Sequence, residues 1–154
     1  MTEYHLPPSL AAYEVSIDAW LHAMADANPA FEAIDRGEPG DPEPRWYVRL
    51  ASEEKGHVTI WLTLGQRTLR YEVYVLPSPP ENAALVYETA LRRNDRQVGA
   101  QFCIGDEDAL YLKGEMPLSM LTEAELDRVV GSLFSYTESA FPVLARLAFA
   151  SRFG

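Results

Sequence analysis

The stretch His57-Val58-Thr59-Ile60-Trp61-Leu62-Thr63-Leu64 decides the fold. Val58, Ile60, Leu62 and Leu64 point one way along an extended chain, and His57, Thr59, Trp61 and Thr63 point the other, because successive strand side chains face opposite sides of a sheet. The same period of two recurs on both sides. Upstream, Trp46, Val48 and Leu50 alternate with Tyr47 and Arg49, and the intervening SEEKG has the polarity and the glycine of a hairpin connection. Downstream, after the turn GQR, Leu69, Tyr71, Val73 and Val75 oppose Arg70, Glu72, Tyr74 and Leu76. Three strands in an antiparallel meander are expected.

Outside the meander the period changes. Pro7 and Pro8 are incompatible with a helix interior and Ser9 is a capping residue, so a helix starts after Ser9. Leu10, Tyr13, Ile17, Leu21 and Met24 form its core stripe, Glu14, Asp18 and His22 lie nearer solvent, and Asn28 and Pro29 stop it. Residues 35–44 read DRGEPGDPEP, with three prolines, two glycines and four acids, and are expected as a loop. What precedes that loop is one helix, too little for a core of its own, so residues 1–154 are read as a single domain.

Ser78 and Glu81 have the spacing of a capping box, with Pro79 at the first helical position, predicting a helix to about Asn94 with Leu85, Val86, Tyr87 and Leu91 as its apolar residues. Its basic end, Arg92 and Arg93, suits the negative end of the helix dipole. Val98, Ala100, Phe102 and Ile104 then alternate with Gly99, Gln101 and Cys103, GDED turns the chain, and Leu110, Leu112 and Met116 recur at every second place. This is a second hairpin. A capping box of Thr122 and Glu125 opens a long helix whose face carries Leu126, Val129, Val130, Leu133, Thr137, Ala140, Phe141 and Leu144, with Pro142 expected to kink or split it. The order is α-β-β-β-α-β-β-α, an α+β fold with an antiparallel sheet and flanking helices.

A chain of 154 residues with 47% hydrophobic and 23% charged residues has the balance of an ordinary globular domain. A net charge of −10 and a pI near 4.7 disfavour nucleic acid or an anionic membrane surface as the partner, since both demand clustered cations. Cys103 alone forms no internal disulfide, and Met1 to Pro8 lacks the basic start and apolar stretch of a secretory signal, so a cytoplasmic location is expected. No window approaches the roughly 18 apolar residues of a membrane-spanning helix.

Groups for catalysis are sparse. His5, His22 and His57 lack the i, i+4 spacing of a helical metal pair, so no metal or other cofactor is expected. Cys103 reads as a buried or incidental thiol, and Ser132 falls inside a helix, where a nucleophile elbow cannot form. Asp106, Glu107 and Asp108 read as a hairpin turn, without the ligand order of a calcium loop. What remains is the polar side of the meander, where Tyr47, Arg49, Trp61, Arg70 and Tyr74 combine the aromatic and arginine side chains enriched at protein interfaces. The same aromatics also fit a second arrangement, in which a helix or the irregular Phe31 to Ile34 segment covers them and makes them core.

From NAALVYETALRRND through GAQFCIGDEDALYLKGEMPLSMLTEAELDRVVGSLFSYTE to AFPVL, the chain resembles the YbjN family of small bacterial proteins. The resemblance spans roughly Arg45 to Leu144. It rests on the helix ending in Leu91, Arg92 and Asn94, the hairpin closing at GDED, the segment Gly114 to Pro117, and Leu121 to Gly131 opening the last helix. The family is labelled as sensory transduction regulators and is similar in fold to type III secretion chaperones, whose helices pack around a strongly twisted antiparallel sheet. The resemblance implies a binding or regulatory module, often a homodimer, and transfers no catalytic motif.

The leading expectation is a non-enzymatic protein-interaction module, chaperone-like or regulatory, whose sheet face and second helix engage a second copy or another protein. A competing expectation is a small-ligand binder or an enzyme using a pocket between the sheet and the helices, with Glu72 or Glu115 as a base. A third is a hairpin that serves homodimerisation alone.

Overall fold

The computed structural model describes residues 9–153. His5 and the Met1 to Pro8 segment lie outside the described residues. Helix α1 (Leu10–Ala27) opens where Ser9 predicts, its hydroxyl accepting the Ala12 N–H at 3.1 Å. Strands β1 (Phe31–Arg36), β2 (Arg45–Ser52), β3 (Gly56–Leu64) and β4 (Thr68–Leu76) follow, then α2 (Ala83–Asn94), β5 (Gln101–Ile104), β6 (Leu110–Pro117), α3 (Glu123–Ala148) and a terminal turn α4 (Ala150–Phe153). All neighbours in the six-stranded sheet are antiparallel, in the order β1-β2-β3-β4-β6-β5. The fold is α+β, as expected, and the element order is the expected one with a strand added at the N-terminal edge.

The alternation that predicted the meander also builds the core. Val58, Ile60, Leu62 and Leu64 are fully buried, as are Trp46 and Val48 on β2 and Leu69 and Val73 on β4. Each such side chain contributes roughly 1.5–3 kcal/mol by leaving water. Ile17, Leu21 and Met24 of α1, with Leu126, Val129, Val130, Leu133 and Leu144 of α3, belong to the same cluster. Trp46 ties α1 to the sheet: its indole N–H donates to Asp18 Oδ1 at 3.1 Å, and the Arg36 guanidinium lies 4.7 Å over its ring while bonding Glu14.

Four local expectations are corrected. The segment Phe31 to Ile34 is not irregular: with Asp35 and Arg36, the first two residues of the expected loop, it forms β1. Its register against β2 slips between Phe31 and Ala33, and this bulge breaks the two-residue period that would have marked a strand. Ser78 and Glu81 form no capping box. Helix α2 begins after Asn82, which is left-handed (φ 55°) and makes no side-chain cap, while the Glu81 carboxylate accepts the Ser151 N–H at 3.1 Å. On α2, Leu85 and Leu91 are exposed and the buried residues are Val86 and Ala90; Val98, 69% exposed, precedes β5. Finally, of the two outcomes expected at Pro142, a kink or a split, the split does not occur: α3 continues through Pro142 as one helix.

Candidate functional site

One face of the sheet is core; on the other, the side chains are exposed or half-buried. Register assembles the open face. Tyr47 lies opposite Trp61, Trp61 opposite Glu72, and Glu72 opposite Lys113, while Arg70 lies opposite Glu115 and Tyr74 opposite Tyr111. These cross-strand neighbours make two edge-to-face aromatic pairs: Tyr47 with Trp61, ring centroids 5.2 Å apart, and Tyr74 with Tyr111, 5.5 Å apart. Trp61 is 42% and Tyr74 44% exposed, so neither is core.

All five residues singled out from the sequence share this face, in distinct places. Tyr47 and Trp61 touch. Tyr74 joins Tyr111, which the sequence reading passed over although the alternation that turns Leu110 and Leu112 inward turns Tyr111, Lys113 and Glu115 outward. Arg49 is held toward the β1 edge by Glu32, with Nε 3.2 Å from its carboxylate, and His57 meets the same carboxylate at 2.9 Å. Arg70 donates to both oxygens of Glu43, in the loop of residues 37–44, at 3.1 and 3.0 Å.

Between these groups runs a groove of about 430 Å³, flanked by Arg45, Trp61, Arg70, Glu72, Lys113 and Glu115. Lys113 Nζ lies 3.5 Å from Glu72 and 4.9 Å over the Tyr111 ring, and Glu115 accepts from the Thr68 hydroxyl at 3.2 Å. Glu72 and Glu115 are therefore on the open face, on the far side of the sheet from the core, and not in a pocket between sheet and helices as the competing expectation required. Partial burial, the neighbouring Tyr111 and the Glu107 carboxylate hold the Tyr74 hydroxyl above its usual pKa. Burial likewise pushes up the half-buried Cys103 thiol, which keeps it protonated and a poor nucleophile.

Of the remaining candidates, His22 and Ser132 sit apart from this face, whereas Asp106 borders it beside Tyr74 and Tyr111. His22 Nδ1 is 2.8 Å from the Asp18 carbonyl, and Ser132 lies within α3. Asp106–Asp108 form a single 3-10 turn with Glu107 and Asp108 in the left-handed region. Among the described residues, no three or more His, Cys, Asp or Glu side chains are grouped to hold a metal ion, and no helix is long and apolar enough to cross a membrane.

Comparison with known proteins assigns the family. Uncharacterized proteins of Mycobacterium tuberculosis and Mycobacterium bovis are each 35% identical over 113 residues, 73% of this chain and 62% of theirs. One of Mycobacterium leprae is 32% identical over 107 residues, 70% of this chain and 58% of its own. The chain spans about three-fifths of the length of these curated relatives. The family model described as "Putative bacterial sensory transduction regulator" matches residues 34–146, from β1 nearly to the end of α3, and the chain belongs to that family, YbjN.

Proposed function

We propose that the open sheet face is a protein-docking surface and that the chain is a non-enzymatic interaction module, regulatory or chaperone-like, acting in the cytoplasm. The observation that carries this reading is the exposure of Trp61 and Tyr74, each braced edge-to-face by a second aromatic ring. Rigid aromatic groups of this kind supply most of the energy of protein interfaces, and little side-chain freedom remains to be lost on docking. The first partner is a second copy of the chain. Around Trp61 three cations, Arg45, Arg70 and Lys113, stand among three anions, Glu72, Glu115 and the Glu43 that Arg70 holds, a mixed pattern that suits a two-fold contact in which each patch meets itself.

Substitution of Trp61 and Tyr74 by serine tests the proposal, because both side chains are exposed and their loss leaves the core intact. Light scattering across a dilution series should give the mass of two 17.3 kDa chains for the unaltered protein and of one for the double variant. In parallel, affinity capture from native extract would reveal a stoichiometric protein lost with the same substitutions. Association unchanged by them removes this face from consideration.

The groove favours a second reading, a small polar ligand bound beside Trp61. Glu72 and Glu115 would first have to leave Lys113 and Thr68 to act as bases, so binding without turnover is the better form of this alternative. Quenching of Trp61 fluorescence by a ligand, with the mass unchanged, would favour it.

A further inference from the structure

We infer a second site at the junction of α2 and α3: a cleft that binds the phosphate group of a small molecule. Its volume is about 540 Å³, and it is lined by Arg92, Arg93, Arg96 and Gln97 at the end of α2 and beyond, and by Tyr136 and Ser139 of α3. Three of the chain's thirteen lysines and arginines thus fall within five residues of a protein whose net charge is −10. Among the described residues no carboxylate lines the cleft. Arg92 is paired with Glu88 at 3.0 Å, whereas neither Arg93 nor Arg96 has a carboxylate partner among the described residues.

The helix dipole does not account for this concentration of charge. A helix C-terminus carries about half a negative charge, which one arginine offsets. The surrounding hydrogen bonds also leave two hydroxyl protons without an acceptor among the described residues. Arg93 Nη1 donates to Ser139 Oγ at 3.3 Å, which leaves the serine proton unused. The Tyr136 hydroxyl accepts the Val98 N–H at 3.0 Å and keeps its own proton to donate. Gln97 Nε2 is fixed on the Ala100 carbonyl at 3.1 Å, holding the turn that carries Arg96.

Two guanidinium forks and two hydroxyl donors need more acceptor oxygens than one carboxylate has, and a phosphate supplies them. The volume exceeds that of a single phosphate, so a diphosphate or a phosphorylated small molecule fits better. The site is independent of the open face, which lies on the other side of the sheet from α3.

Calorimetric titration of the full chain with pyrophosphate, at fixed ionic strength, tests the assignment. Saturable binding at one site is expected, weakened at least about tenfold by R93Q with R96Q, and left intact by the Trp61 and Tyr74 substitutions. R96Q alone, on an exposed side chain, should weaken binding in the same direction without any change in unfolding midpoint. Absence of saturable binding, or equal binding by the arginine variants, overturns the proposal. A glutamate-rich peptide binding more tightly than pyrophosphate would overturn the choice of phosphate.

Discussion

The side-chain amide of Asn94 bonds both backbone groups of Phe102: Phe102 N–H donates to Asn94 Oδ1 at 2.7 Å, and Asn94 Nδ2 donates to the Phe102 carbonyl at 3.1 Å. Phe102 lies on β5, the last strand of the sheet, so one asparagine at the end of α2 stands where the next strand would be. An unpaired edge is a template for pairing with another chain, and here it is closed at its centre. Association through the sheet face, and not through this edge, is consistent with that closure.

Replacing Asn94 by alanine should therefore cost about 1–3 kcal/mol, since both Phe102 groups lose their partner in a partly buried position. Urea unfolding would measure the loss, and hydrogen exchange should show faster exchange of the Phe102 amide. A variant with the unaltered protein's stability and exchange would mean that water replaces the side chain at no cost.

Gly114 is the tight point between β6 and the chain entering β5. A Cβ there would fall on the Gly99 carbonyl oxygen and on the Tyr71 ring, and Gly99 itself holds φ +81°. Gly114→Ala should lower stability by about 1–3 kcal/mol or more, because backbone cannot yield as a flexible side chain does. Gly131→Ala, on α3 with open space around it, is the contrast: it should add about 0.5–1 kcal/mol by helix propensity. Urea midpoints moving in the same direction for both would refute the argument.

Thr137 sits on the buried face of α3 with its hydroxyl unpartnered among the described residues. An apolar group of similar shape removes the desolvation penalty, so Thr137→Val should raise stability by about 1 kcal/mol. A lower melting temperature would reveal a partner for that hydroxyl.

The sheet is legible wherever one face is buried and the other open, because only then does burial impose a period of two, and Val58 to Leu64 and Leu69 to Val75 meet that condition. Phe31–Arg36 escaped because the bulge shifts its register and because Glu32, Asp35 and Arg36 mark it as a charged edge. The start of α2 is not legible, because Ser78 and Glu81 have the capping spacing whereas a left-handed Asn82 sets the boundary, a backbone choice that residue type hints at without fixing. The aromatic face followed from alternation alone. Its pairings did not, since contact between Tyr74 and Tyr111 depends on β4 lying beside β6, a neighbour distant in sequence.

Tyr71 and Lys55 make stability depend on pH in opposite senses. Burial, the main cause, raises the pKa of Tyr71, whose hydroxyl donates to the Gly99 carbonyl at 2.8 Å. The folded chain then holds this proton more tightly than the unfolded one, so its contribution is complete below the ordinary tyrosine value and is lost as pH rises above about 10. Lys55, half-buried with Nζ 3.2 Å from the Val75 carbonyl and 4.8 Å over the Phe141 ring, has its pKa lowered by burial. The folded chain binds that proton less tightly, so stability rises as pH climbs from the lowered value to the ordinary lysine one. Guanidinium midpoints between about pH 8 and 11 should show both trends. Lys55→Met should flatten the rise, and Tyr71→Phe should flatten the fall while costing about 1 kcal/mol at neutral pH. A fall that persists unchanged in Tyr71→Phe would assign it to another tyrosine, and Tyr74, also raised, is the one to substitute next.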